Sequence, residues 1–208
     1  MTCSIDASAV TSFHDRMLAQ AGWPGEFPPQ TPGSAWEWIA VNHRYNSLLW
    51  NEEDQARRTD VDAAVIASCK RLIDRYNQQR NDAVEKLDEV LLGELEHVKP
   101  QAEARLNSET AGAMIDRLSI LALKIFHMHE QTLRVDAGAE HRAQCQAKLE
   151  RLKLQRGDLA HCLDALLEDA AAGRAWFRVY RQFKMYNDPN LNPWLYGARQ
   201  PAANGTAA

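Results

Sequence analysis

The sequence predicts an all-α protein, a single-domain antiparallel helical bundle with long helices. Apolar residues recur at every third or fourth position through most of the chain, which is the spacing of one face of a helix. No segment of useful length alternates apolar and polar residues as a half-buried strand does. With 208 residues, the chain is long enough to bury one substantial hydrophobic core.

The N-terminal part, residues 1–33, is predicted to contain one short helix and a Pro/Gly-rich linker. Ser4 or Asp6 can cap the helix, since a short polar side chain can accept a hydrogen bond from the first free N–H groups. The linker "WPGEFPPQTPG", from Trp23 to Gly33, holds too many prolines to be helical.

The helical bundle is predicted over residues 34–186. "SAWE" at Ser34–Glu37 is a capping box, in which each side chain bonds the other residue's backbone N–H. Ser108 is the expected cap of a later helix, and Gly157 is a candidate kink. The five helices predicted in this part cover about 35–57, 60–99, 109–135, 139–173 and 174–185.

The C-terminal part, residues 187–208, is predicted to form an aromatic clamp followed by a frayed tail. The segment "NDPNLNPWLY" is rich in turn residues, and Trp194, Leu195 and Tyr196 would anchor it on the bundle. The alternative is a lid whose Asn and Asp residues close over a pocket.

Composition excludes some classes of protein. The net charge of −4 gives no basic field, so nucleic-acid binding is not favoured. The most apolar run, "LSILALKIF", is interrupted by Lys124 and is too short to span a membrane. The start of the chain lacks the basic and apolar regions of a secretion signal, which favours a cytoplasmic protein. Four scattered cysteines without a C-x-x-C pair indicate free thiols rather than a zinc site.

Three of the predicted helices carry a polar stripe beside their apolar face. Successive residues turn by about 100° around a helix, so residues three, four and seven apart share a face. The stripe residues are Asn42, Asn46 and Glu53, then Asp74, Asn77, Asn81, Glu85 and Asp88, and finally Asp116, His127 and Glu130. We expect the three stripes to form one shared polar seam with Asn81 and Glu85 near its middle.

Such a seam has three interpretations. It can be a structural network in which Asn and Asp satisfy one another, or a ligand pocket lined by Asn42, Asn46, Asn77 and Asn81. It can also be a metal-dependent hydrolase site, because Mg²⁺ prefers carboxylate oxygens and helical bundles hold such sites between facing helices. In that case Glu53, Glu85 and Asp88 are the candidate Mg²⁺ ligands, and Glu85, His127 and Asp116 are the candidate catalytic residues.

The last predicted helix carries the opposite charge. Arg178 and Arg181 lie on one stripe and are candidate ligand-binding residues, because the planar guanidinium suits phosphate. The alternative is an amphipathic helix that is docked by its aromatic residues and has its arginines in water.

Four segments together resemble a bacterial family of unknown function, DUF4254. They are "LLWNEEDQARR", "KRLIDRYNQQRND", "SETAGAMIDRLSILALKIFHMHEQ" and "YRQFKMYNDPNLNPWLY", and the resemblance extends from about Trp38 to Tyr196. Ala111 and Ala113 stand where the family has Pro and Ser, which affects only a helix start. The resemblance implies a helical fold and genes neighbouring the glycosyltransferases of lipopolysaccharide or other envelope polysaccharide assembly, and it supplies no catalytic residues.

The expected function is therefore that of an accessory or ligand-binding protein in envelope polysaccharide biosynthesis. Its expected partners are a nucleotide-sugar or a glycosyltransferase, without nucleic acid and without a membrane span. One alternative is a Mg²⁺-dependent phosphohydrolase of a nucleotide or sugar phosphate. Another is a helical scaffold that forms a homo-oligomer.

Overall fold

The computed structural model describes residues 5–25, 30–182, 190–191 and 193. Within these residues the chain forms five helices and one pair of two-residue strands, so the all-α class is confirmed. The helices are α1 (Ala7–Ala19), α2 (Ala35–Ala56), α3 (Ala63–Glu94), α4 (Ala111–Thr132) and α5 (Ala139–Ala171), and the strands are β1 (Arg105–Leu106) and β2 (Ala175–Trp176).

The first two helices begin at the caps that the sequence predicts. The Asp6 carboxylate accepts a hydrogen bond from the Ala9 N–H at 2.8 Å, and the Ser34 hydroxyl oxygen accepts one from the Glu37 N–H at 3.3 Å. The Glu37 carboxylate, however, accepts from the N–H of Gly33 instead of that of Ser34. The return bond of the capping box thus reaches one residue further toward the N-terminus.

The next two helices begin later than predicted. α3 begins at Ala63, because the residues before it form a turn in which Arg58 pairs with Asp60. α4 is capped by Thr110 rather than Ser108, since the Thr110 hydroxyl oxygen accepts from the N–H of Ala113 at 3.1 Å.

The predicted sixth helix is wrong. Gly173 has a φ of +72°, which ends α5 and turns the chain back. The residues that follow form β2, which pairs in parallel with β1, and residues 177–182 contain no helix. Backbone hydrogen bonds from Gln101 to Gly173 and from Asn107 to Trp176 satisfy groups that a helix would otherwise pair internally.

The hydrophobic core lies where α1, α2, α3, α4 and α5 meet. α2 packs mainly on α3 and α4 mainly on α5, while contacts of α2 with α4 join the two pairs. α2 and α4 run in the same direction, since Asn42 bonds Asp116 and, about two turns further along α2 and about three turns further along α4, Trp50 stacks on His127. The largest fully buried apolar side chains are Val10, Ile39, Leu87, Leu91, Ile115, Leu118, Leu149, Leu163 and Leu166.

The cysteines and the C-terminal segment are described only in part. Cys69, Cys145 and Cys162 are free thiols, as predicted, whereas Cys3 lies outside the described residues. The clamp residues Trp194, Leu195 and Tyr196 also lie outside them, as does most of the predicted 187–208 segment. None of the helices in the described ranges has both the length and the apolar character required to cross a membrane.

Candidate functional site

A buried polar cluster joins α2 to α4. The side-chain amides of Asn42 and Asn46 each donate to Oδ1 of Asp116 at 2.8 Å. Asn46 also donates to the Ser119 hydroxyl oxygen at 3.0 Å, and Nε of Arg80 lies 3.9 Å from the same Asp116 oxygen. The two asparagines are one helical turn apart, so both reach the same oxygen of the half-buried Asp116 carboxylate.

This cluster continues into a stack of aromatic rings. Nδ1 of His43 is 2.8 Å from the Ser119 hydroxyl, and the His43 ring stacks on His14 at a centroid distance of 4.5 Å. Trp23 covers His43 from the side of the N-terminal segment. Burial lowers the pKa of His43 to about 3 and lowers that of His14 well below its ordinary value, because the interior disfavours the charged imidazolium. Both histidines are therefore neutral core residues.

Asp88 does not join that cluster. It is almost fully buried at the start of α4. Its Oδ1 accepts a hydrogen bond from the N–H of Gly112 at 2.7 Å, and its carboxylate also accepts one from the Thr110 hydroxyl. Burial raises the pKa of Asp88 to about 6, more than these two hydrogen bonds lower it. Asp88 therefore bonds the first turn of α4.

Asn81 and Glu85 hold the segment that follows β2. The Asn81 amide donates to Oε1 of Gln182 at 2.8 Å, and the backbone N–H of Gln182 donates to Glu85 at 2.9 Å. Arg181 pairs with Glu85 at 2.9 Å and with Glu89. The two acidic residues thus neutralise Arg181, which was a candidate phosphate ligand.

The other predicted ligands are dispersed. Arg178 lies over the ring of Trp176, with 4.7 Å between the guanidinium carbon and the ring centroid. Asn77 lines a cavity of about 290 Å³ together with Asn46 and Arg80. Asn42, in contrast, is completely buried against Asp116 and lines none of the cavities described here.

The structure does not bring the three candidate metal ligands together. Glu53 pairs with Arg57 near the end of α2, Glu85 pairs with Arg181, and Asp88 bonds Gly112. Within the described ranges no three His, Cys, Asp or Glu side chains are arranged to hold a metal ion. The expectation that these three carboxylates share one Mg²⁺ centre is therefore wrong.

The candidate catalytic residues also lie apart. Nδ1 of His127 is 2.8 Å from Glu130, and its ring stacks on Trp50 at 4.6 Å with an interplanar angle of 10°. Asp116 lies eleven residues earlier on α4, which is about 16 Å along the helix axis. Glu85 bonds the C-terminal segment. The single polar seam that we expected is thus divided into separate clusters.

The sequence analysis missed a cleft of about 580 Å³ between α2, α4 and α5, which we name the basic cleft. It is lined by Lys124 from α4 and by Lys148 and Arg151 from α5. None of these three cations forms an ion pair with another residue that the structure describes. Lys124 was visible in the sequence as the charge inside an apolar run, but its partners on α5 were not.

Aromatic and polar groups complete the basic cleft. The stacked pair of Trp50 and His127 forms one wall. Asp54 is the one carboxylate in the described lining, and it already lies 3.3 Å from a guanidinium nitrogen of Arg57. The cleft is therefore locally positive on a chain whose net charge is −4, which is the arrangement that attracts an anion.

The fold and this cleft define an all-α protein with a small-molecule-sized basic site and an internal polar cluster. The family model described as "Protein of unknown function (DUF4254)" matches residues 36–179, so the chain belongs to that family. No curated protein and no solved structure matches the chain.

Proposed function

We propose that this protein is a cytoplasmic accessory protein of envelope polysaccharide assembly that binds a phosphate-bearing ligand, a phosphorylated sugar or nucleotide-sugar, in the basic cleft. The observation that carries the proposal is the convergence of Lys124, Lys148 and Arg151 on one aromatic-walled cleft. Their charges are not neutralised by other described residues, so an anionic ligand can supply the missing counter-charge.

The dimensions of the cleft agree with such a ligand. Small-molecule sites are usually about 300–1,000 Å³, mostly apolar, and contain a few polar groups that orient the ligand. The basic cleft falls inside that range. Arg151 can present two parallel N–H groups to a phosphate, while Lys124 and Lys148 act as point charges.

The family resemblance supports the polysaccharide context. Sugars that enter polysaccharides are carried as phosphate esters, so an accessory protein of that process would meet ligands with the required charge. The direct partner of the ligand-loaded protein would then be a glycosyltransferase.

A thermal-shift experiment tests the proposal. UDP, GDP and dTDP, their glucose conjugates and inorganic pyrophosphate would each be added to the full chain. A ligand present at a hundred times its Kd stabilises a protein by about 2.7 kcal/mol, which raises the Tm of a chain of this size by about 5–10 °C. We expect at least one of the phosphate-bearing ligands to produce such a shift.

Charge-reversal variants locate the binding. Lys148→Glu combined with Arg151→Glu should abolish the shift, whereas Arg71→Glu combined with Arg75→Glu, on the exposed side of α3, should leave it intact. The absence of stabilisation by every ligand would overturn the proposal, as would equal shifts in both double variants. Hydrolysis in the same samples, of UDP-glucose to UMP and glucose 1-phosphate or of UDP to UMP and phosphate, would instead favour the phosphohydrolase alternative.

A further inference from the structure

A second cavity adjoins the basic cleft between α4 and α5. It measures about 670 Å³, and we name it the distal cavity. Lys124 and Gln155 line both spaces, so the two form one groove along the helix pair. The lining residues used below are Glu109, Arg117, Lys124, Gln155, Asp158 and Cys162.

The charge of the lining changes along this groove. At the basic-cleft end the side chains of Lys148 and Arg151 are positive, and Lys124 lies at the junction. At the distal end Asp158 is exposed and forms no ion pair with any residue in the described ranges. Glu109 lies at the same end and pairs with Arg117 at 2.5 Å. A phosphate placed there would meet Asp158, which repels it.

The hydrogen-bonding capacity of the distal cavity selects a different chemical group. A carboxylate accepts hydrogen bonds but does not donate them, and the Gln155 amide can do both. Neutral hydroxyl groups, which donate and accept, complement the Asp158 carboxylate and the Gln155 amide. Several hydroxyls on one ring are characteristic of a sugar. The distal cavity therefore suits an uncharged polyhydroxyl group.

The spacing of the two ends requires an extended ligand. Arg151 and Asp158 lie seven residues apart on the same face of α5, which is about 10.5 Å along the helix axis. A ligand that contacts both carries its negative charge at one end and its hydroxyl-rich ring at the other, joined by a linker. A nucleoside diphosphate sugar has this order of groups.

We infer that the groove binds a nucleoside diphosphate sugar in one orientation, with the nucleoside and diphosphate in the basic cleft and the sugar in the distal cavity against Asp158 and Gln155. This inference rests on the proposed function and adds the position of each part of the ligand. The base lies by the Trp50–His127 wall, and Lys124 holds the phosphate nearest to the sugar.

Calorimetric titration tests the sugar position. UDP, GDP and dTDP would be compared with UDP-glucose, GDP-glucose and dTDP-glucose on the full chain. At least one conjugate should bind about tenfold more tightly than its parent diphosphate, which corresponds to about 1.4 kcal/mol. Asp158→Asn should bring the two affinities within twofold of each other without weakening the binding of the diphosphate. The matched control Glu168→Gln, an exposed site further along α5, should retain the tenfold difference.

Cys162 provides an independent reporter. Its thiol is exposed and lines the distal cavity, so N-ethylmaleimide should label it, and peptide mass spectrometry distinguishes it from the other cysteines. A conjugate that occupies the distal cavity should slow the labelling of Cys162 at least fivefold, whereas the parent diphosphate should not.

The outcomes separate the two proposals. If no diphosphate and no conjugate binds, the proposed function and this inference both fail. If the diphosphates bind but the conjugates bind no more tightly and do not protect Cys162, the sugar does not enter the distal cavity and this inference alone fails. Equal weakening of both ligand types by Asp158→Asn would also overturn it.

Discussion

The carboxylate of Asp88 and the backbone of Gly112 are in direct contact. Oδ1 of Asp88 accepts the Gly112 N–H at 2.7 Å, and a Cβ on Gly112 would lie 2.8 Å from that oxygen. The same Cβ would lie 2.8 Å from the carbonyl oxygen of Val84. The buried acid therefore bonds the N-terminal turn of α4, where N–H groups without a partner in the helix favour a negative charge, only because the helix carries a glycine there.

Gly112→Ala should lower the free energy of unfolding by about 1–3 kcal/mol in urea denaturation, as overpacking of a core does. The carbonyl of Val84 belongs to α3 and cannot move aside as a side chain can. Gly157→Ala is the matched control, because a Cβ at Gly157 meets nothing within 4 Å. That change should stabilise α5 by up to about 1 kcal/mol. Equal effects of the two substitutions would contradict the close contact.

Asp88→Asn should change the dependence of stability on pH. The folded-state pKa of about 6 is above the ordinary value of 3.8, so the folded protein binds the proton more tightly. The stability that Asp88 contributes is present below pH 4 and is lost as the pH rises through 6. The free energy of unfolding of the wild type relative to Asp88→Asn should fall by about 2–2.5 kcal/mol between pH 4 and pH 7. Urea denaturation at these pH values measures it, and parallel curves would refute it.

His14→Phe should make the protein more resistant to acid. Burial and the neighbouring His43 lower the pKa of His14, so the unfolded chain binds more protons below pH 6.5 and stability falls as the pH falls. Each such histidine contributes a slope of about 1.4 kcal/mol per pH unit. Phenylalanine keeps a ring in the stack and removes this slope. Denaturation at pH 5 and pH 7 should show a smaller difference for the variant, and an unchanged difference would count against a neutral, buried His14.

Glu85→Ala should release the segment after β2. The Gln182 N–H donates to Glu85, and Arg181 pairs with the same carboxylate, so both contacts disappear. Hydrogen exchange of residues 177–182 should become faster, while exchange in α4 should not change. Glu96→Ala, at an exposed site beyond the end of α3, is the control and should leave both regions as in the wild type. Equally fast exchange in the wild type and in Glu85→Ala would contradict the role given to Glu85.

Capping residues close to each helix start correctly predicted where α1 and α2 begin. Asp6 and Ser34 act as caps because capping depends on residues within one turn of each other. The third helix begins a few residues late because Asp60 pairs with Arg58 in a turn, and the fourth begins late because a second capping residue was available. Thr110 caps α4, although Ser108 was equally suitable by residue type.

The predicted sixth helix shows where helical periodicity in the sequence is a poor guide to the fold. The segment from Arg174 onward has a helical charge stripe, but its backbone pairs with the chain around Arg105, and Arg181 pairs with α3. These partners lie far away in sequence, so no local pattern could reveal them. Tertiary hydrogen bonds and ion pairs thus replaced the internal bonds of a helix.

The sequence by itself determined the all-α class, the polar stripes, and the capacity of Asn42, Asn46 and Asp116 to face the interior. Only the tertiary structure decided which stripes meet: these three converge, while Asp88 and Glu85 contact other partners. It also placed Lys124 opposite Lys148 and Arg151. The reason is geometric, since periodicity defines the face of each helix, whereas the rotation and axial shift of one helix against another depend on packing of the whole core.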